Sequence, residues 1–503
     1  MNPASSIARF LRSTHFVSLF AALLLIMIAL NPPNGVLNEN EQHYFEVAHA
    51  LVAPENTAAL DSLVGGMPHT FVFGVLTGNL IESLGHDGAQ IAGRILIALL
   101  YAWALATFFR KLSLSVTDAS TAIIVFYLAG QQIMGGEWIF GGLEPKTLAY
   151  PFAIMGLGSY LARERIAPWL WLAVATSIHF HLGGLWFGLM VLCELLQRRP
   201  LRQLATGAAL YALAISPIAL VVAVNHVDIV ATAEYATEPD VGWIFTYYRA
   251  PHHATPFASR AAFIADWLPG IALLAPLTLL SALLMSARDG SAAAPARLAF
   301  VAFCLLWFAL AASAIDTQGR LGPYMLFRPS SLALLLFILA ALIYIRDHAG
   351  AASWPLRLSA LLLVAAVAAP ALARDAVGPL HDEQRRLAQQ AGLLGFLRGT
   401  PQDSVYVIQP DMERRFLGIQ RETGRRVAVL FKFTPSRAEG MREWFRRREM
   451  QRELLDGNCS VAEPYRVTHV IVEPNSVNEG FVPCGPLVYQ DKSFAVFAVT
   501  AQP

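Results

Sequence analysis

Residues 168–197 read PWLWLAVATSIHFHLGGLWFGLMVLCELLQ. The run is too long for one comfortable helix, since about 20 residues span a hydrocarbon core. HFHLGG interrupts it, with Gly183-Gly184 as a breaker. Taken as one span, it sets RERIAPW (163–169) and QRRPLRQ (197–203) on opposite sides of a membrane. Taken as two short helices that turn near the outer leaflet, it returns both basic segments to one side. Everything else in the topology follows from that choice.

The second choice lets the whole chain obey the bias of Lys and Arg toward the cytoplasm. Arg9/Arg12, Arg110/Lys111, Arg163/Arg165, Arg198/Arg199/Arg202, Arg288/Arg297 and Arg346/Arg357 then share the cytoplasmic face. Asn31 to Gly93 holds no Lys or Arg but carries seven acidic residues, including Glu39, Glu41 and Glu46, and reads as an outer loop. The expected spans are 14–31, 91–109, 118–134, 147–162, 168–180, 183–197, 203–224, 262–287, 297–314, 328–346 and 357–374. About eleven spans place the C-terminus outside.

Composition agrees with a polytopic membrane protein. The 503 residues are 55% hydrophobic and 15% charged, against about 25% charged in soluble domains. A net charge of +1 gives no basic stripe for nucleic acid. The first apolar block follows Arg9 and Arg12 as a signal peptide would, but LNPPNG offers no small-residue cleavage site, so an uncleaved first span is expected.

The transmembrane part is assigned to 1–374, with an outer loop at 32–90 that includes surface helices. A small α/β domain is assigned to 375–503. There SVYVIQP, RRVAVLFKF, THVIVEP and SFAVFAV have strand composition. AEGMREWFRRREMQRELL reads as an amphipathic helix with its charges exposed. Outside the cytoplasm, Cys459 and Cys484 are candidates for a disulfide, whereas Cys193 and Cys304 lie in apolar blocks and read as packing residues.

The unusual polar residues fall in NENEQHYF (38–45), EWIFGGLEPK (137–146), HFH (179–181), TYYRAPHHATP (246–256) and GRLGPYMLFRP (319–329), all expected on the outer face. Pro145 suits the first helical position with Glu144 at the boundary, which puts Lys146 at the positive end of the helix dipole. Either Glu144 balances that charge or an anion does. Glu39 and Glu41 are candidate general bases, with Glu137 a second choice; solvated loop carboxylates are the plain alternative. Arg249, His252 and His253 are candidates for holding a phosphate, but adjacent histidines point in different directions and make a poor metal pair. His179 and His181 could bind metal only with a third ligand that no spacing supplies. Arg328 and Arg94 sit at span ends, where they either snorkel or clamp a lipid phosphate.

This pattern resembles the GT-C membrane glycosyltransferases, such as protein O-mannosyltransferases and the lipid A aminoarabinose transferase. The likeness lies in a first span followed by a long acidic outer loop, the paired helices WLAVATSIHFHLGGLWFGLMVLCELL, polar residues gathered on one face, and a terminal soluble domain. EPKTLAYPF, YYRAPHH and TPQDSVYVIQP also resemble stretches of an uncharacterised bacterial membrane-protein family. The resemblance implies transfer of a sugar from a polyprenyl-phosphate donor to a glycan, lipid or protein acceptor at the outer face of an inner membrane. It implies Glu41 or Glu39 as base, and Lys146, Arg249, His252, His253 and Arg328 around the lipid phosphate, with no cofactor or metal expected. Where many of those enzymes carry an Asp-Glu motif, this loop reads Asn-Glu-Asn-Glu. The competing classes are a transporter and a non-catalytic lipid-binding scaffold.

Overall fold

A computed structural model describes residues 14–54, 70–198, 200–231, 239–286, 291–349, 382–435, 437–475 and 481–500. The chain is predominantly helical with a small C-terminal sheet. Among the described residues five helices are long and apolar enough to cross a membrane: Phe71–Lys111, Leu201–Val224, Arg260–Ser286, Ala293–Ile315 and Ser330–His348. Four shorter apolar helices are Thr14–Leu30, Val116–Leu128, Ala167–Ile178 and Phe180–Leu196. The expected span 357–374 lies outside the described residues.

The main helices of the first part are α1 (Thr14–Leu30), α2 (Glu39–Val52), α3 (Phe71–Lys111), α4 (Val116–Leu128), α5 (Pro145–Leu161), α6 (Ala167–Ile178), α7 (Phe180–Leu196), α8 (Leu201–Ala231), α9 (Leu268–Ser286), α10 (Ala293–Ile315) and α11 (Ser330–Ala349). Two compact units divide the chain. The first comprises Met1–Pro33, Ile91–Val221 and Phe245–Val377; the second comprises Asn34–Gln90, Val222–Ile244 and Gly378–Pro503. The acidic loop and the C-terminal region therefore belong to one body, where a division at residue 374 alone would separate them.

In the first unit α5 is the central helix, buried on nearly every side. It begins where the sequence signals a start: Glu144 is the N-cap, Pro145 occupies the first turn, and the Glu144 N–H donates to Thr147 Oγ1 at 3.0 Å. Helices α6 and α7 are separate, as the two-helix reading requires. The break falls at His179, whose φ/ψ of −142°/97° leave the helical region, and not at the glycine pair. Gly183 lies inside α7 and has a packing role instead. A Cβ there would come within 2.3 Å of the Thr176 backbone nitrogen, so only glycine lets α7 fold this tightly against α6. Helix α4 ends at Leu128, six residues before the expected 134, with Gly130 and Gln131 both at positive φ.

In the second unit Asn38 and Glu41 form a capping box at the start of α2: Asn38 Oδ1 accepts from the Glu41 N–H, and Glu41 Oε2 accepts from the Asn38 N–H. Helix α3 is longer than the expected 91–109 and breaks at Gly85, where φ is +70°. Glu46 of α2 is bound by Arg421 at 2.8 Å, and His43 packs edge-on against Phe433 with ring centres 5.0 Å apart. These contacts join the acidic loop to the C-terminal region.

The C-terminal region opens with α12 (382–399). Its sheet has the order β2-β1-β3-β5-β4, with β1 (Val405–Ile408), β2 (Arg426–Val427), β3 (His469–Val472), β4 (Leu487–Gln490) and β5 (Ala495–Ala498). Strand β1 runs parallel to β2 and β3; β5 runs antiparallel to β3 and β4. RRVAVLFKF pairs over only two residues. Beyond them the Phe431 N–H donates to the buried carboxylate of Glu413, which draws the chain off the sheet edge. Glu413 also binds Arg448 and Gln451 of α13 (Ala438–Leu455). The expectation that this helix exposes its charges is therefore corrected: Arg442 and Arg448 are buried, because Glu413 offers Arg448 a buried counter-charge. Cys459 and Cys484 are joined in a disulfide.

Candidate functional site

Four of the polar stretches meet in the first unit. The loop from α4 to α5 is organised by Gln131. Its Oε1 accepts from Ile139 N–H at 3.1 Å and Phe140 N–H at 2.7 Å, and its Nε2 donates to Phe140 O at 3.2 Å. Gln132 Oε1 accepts the Glu137 N–H at 2.6 Å. Gly135 and Gly136, both at positive φ, carry the turn between these contacts. The loop then receives three partners. His253 Nδ1 lies 2.6 Å from Gly135 O, Ser330 Oγ donates to Met134 O at 2.7 Å, and Phe327 packs on Gly135. Thr246 Oγ1 donates to Gly319 O at 2.7 Å, which ties TYYRAPHHATP to GRLGPYMLFRP. Arg328 donates to His179 Nε2 at 2.7 Å and brings in the α6–α7 joint.

Within this frame lies a buried ionic set. Lys146 Nζ is 3.8 Å from Glu137 Oε1 and 4.0 Å from Glu144 Oε2, and it sits 3.2 Å from the centre of the Trp138 ring. Glu137 is only 1% exposed and Lys146 only 7%. The Tyr150 hydroxyl donates to Glu137 Oε1 at 3.2 Å, and Tyr101 beside it donates to Ile139 O at 2.7 Å. Carboxylates and an aromatic face surround Lys146, with Glu137 contributing as well as Glu144. Charges this deeply buried are retained when paired.

His253 bridges the loop and the cations. A carbonyl only accepts, so Nδ1 carries the proton. Burial, then the neighbouring His252, Lys146 and Arg328, hold its pKa well below the usual histidine value, although the bond to Gly135 O opposes them. The ring is therefore neutral at physiological pH, with Nε2 as a lone-pair acceptor. Arg328 contacts His179 Nε2 from the other side of the site. His252 packs on His253 with ring centres 4.0 Å apart, and Arg249 ends a π-helical turn, Ile244–Arg249, half-buried. π-helical turns recur at functional sites. His181 lies beside His179, with ring centres 6.2 Å apart.

Other sequence candidates have separate placements. Arg94 is buried in the first unit and donates to Pro32 O at 2.7 Å, where it ties α3 to the end of α1. Glu39 and Glu41 belong to the second unit. Glu41 is buried in its capping box, and Glu39 is exposed with Arg414 at 3.9 Å. Among the described residues no group of three or more His, Cys, Asp or Glu is arranged to hold a metal. Sequence reasoning missed Trp138, Tyr150, Tyr101 and Gln131. Only the first two carried a signal, an aromatic beside a charge and a tyrosine one helical turn from Lys146.

No family model matches the chain, and no curated protein matches it.

Proposed function

We propose that this chain is a membrane glycosyltransferase of GT-C type with about eleven spans, moving a sugar from a polyprenyl-phosphate donor to an acceptor hydroxyl at the outer face. The observation that carries the reading is the buried set Glu137, Lys146 and Glu144 inside a bundle of apolar helices, with Arg328 and neutral His253 beside it. Ionisable groups among apolar helices are expensive and mark functional sites.

In this reading Glu137 is the base. Glu41, the first sequence candidate, uses its carboxylate to cap α2, and Glu39 is solvated. The acceptor oxygen attacks the anomeric carbon, the bond from that carbon to the phosphate oxygen breaks, and the acceptor proton passes to Glu137. The polyprenyl phosphate leaves with the electron pair. Arg328, Arg249 and the His252/His253 pair stabilise the charge on it. Lys146, 3.8 Å from the Glu137 carboxylate, orients it.

The test is reconstitution in vesicles with a radiolabelled polyprenyl-phosphate sugar. Release of free polyprenyl phosphate that depends on the protein and on an acceptor-containing membrane extract supports the reading; none across a panel of donor sugars rejects it. A second reading, transport, rests on the helix break at His179 with Arg328 bound to it, which resembles the discontinuous helices of transporters. Protein-dependent flux without turnover would favour that reading.

A further inference from the structure

Helices α5 and α7 both start at the buried ionic site and end at a second feature. At their far ends, about 25 Å away along the 17 residues of α5, a cavity of 520 Å³ opens within the first unit. Arg163, Arg165, Arg202 and Arg297 line it, with Glu164 and Glu194. Four arginines outnumber the two carboxylates in the lining. Lys111, from outside the cavity, binds Glu164 at 2.7 Å, and Glu194 hydrogen-bonds Tyr160. Arg297 is held by Gln197 at 2.6 Å. The side chains of Arg163, Arg165 and Arg202 have no ion-pair partner among the described residues. Arg163 stands at φ +57°, a left-handed backbone that suits glycine better than a residue with a Cβ, yet the guanidinium is there.

The other wall is apolar. Trp169 forms it, pressed against Gly207, where a Cβ would fall 2.0 Å from the indole ring. Ile166, which is exposed, lines the cavity with Leu161, Leu204 and Leu210, so apolar surface borders it. A basic hollow between apolar helices fits an anionic headgroup whose chains stay outside.

We propose that this cavity binds the phosphate headgroup of an anionic membrane phospholipid, at a site separate from the ionic set at the other end of α5. A free phosphate compound would share the arginine chemistry but not the apolar rim.

The test uses the purified, delipidated full chain. Phosphatidylglycerol, phosphatidylcholine or inorganic phosphate is added, and bound lipid is counted by native mass spectrometry. Phosphatidylglycerol is expected to bind and phosphatidylcholine is not. The Arg165→Gln/Arg202→Gln variant should bind phosphatidylglycerol about thirtyfold more weakly, and the Arg165→Lys/Arg202→Lys variant should retain most of the affinity. Thr206→Glu, which adds a carboxylate to the exposed cavity wall, provides a second loss variant. Equal binding by wild type and both loss variants overturns the proposal. So does equal binding of the two lipids, and so does displacement of phosphatidylglycerol by millimolar inorganic phosphate, which would make this a soluble-anion site.

Discussion

The ammonium of Lys146 lies 3.2 Å from the centre of the Trp138 ring. The two residues are eight positions apart, and the close approach depends on the Gln131-braced loop folding back onto the first turn of α5. Cation–π contact shielded from water is worth about 2 kcal/mol. Trp138→Leu is expected to lower the thermal midpoint in detergent, while Trp138→Phe retains most of the stability. Scanning fluorimetry of the three proteins checks this.

Lys146 is shared by Glu137 and Glu144, so removing it leaves two buried carboxylates without their common counter-charge. Lys146→Met is expected to cost ~3–5 kcal/mol. The Lys146→Met/Glu137→Gln pair should cost less than the sum of the single changes, with a coupling of about 1–3 kcal/mol. A double-mutant cycle by denaturant unfolding measures it.

Glu46 predicts a pH dependence in the second unit. Burial holds its carboxyl above the usual 4.5, and Arg421 pulls it back only in part. The folded state therefore keeps a proton that the unfolded state has released, and stability falls as pH rises from 4.5 through the folded value. Arg421→Ala removes the counter-charge, so the fall is expected to deepen and extend to higher pH. Unfolding midpoints of both proteins from pH 4.5 to 8 test the sign.

The disulfide between Cys459 and Cys484 spans 25 positions. Closing a loop of that size limits the unfolded chain by about 3 kcal/mol. Cys459→Ser/Cys484→Ser is expected to unfold at lower denaturant than the parent, and reductant should shift the parent but not the variant.

Part of this arrangement was legible in the sequence because long apolar helices are written in composition. The basic segments RERIAPW and QRRPLRQ do meet, at the arginine cavity, since hydrophobic length and positive charge constrain the turn between them. EWIFGG, HFH, TYYRAPHHATP and GRLGPYMLFRP converge for the same reason. The capping role of Glu41 was missed in favour of a general-base reading, although Asn38 three residues before it gives a capping-box spacing. What the sequence could not reveal depends on distant partners. Glu46 meets Arg421 across 375 positions, and Glu413 meets Arg448 inside a helix whose periodicity marks that arginine as exposed. Gln131 orders its loop through backbone groups, which leave no pattern in side-chain chemistry.

The central claim is that Glu137 removes the acceptor proton. The most direct measurement is the rate of sugar transfer from a polyprenyl-phosphate donor by Glu137→Gln and Glu41→Gln proteins of matched stability, reconstituted in vesicles. The account predicts a loss of roughly 10²–10⁴-fold for Glu137→Gln and a rate near the parent's for Glu41→Gln. A Glu137→Gln protein that transfers at the parent's rate would contradict it.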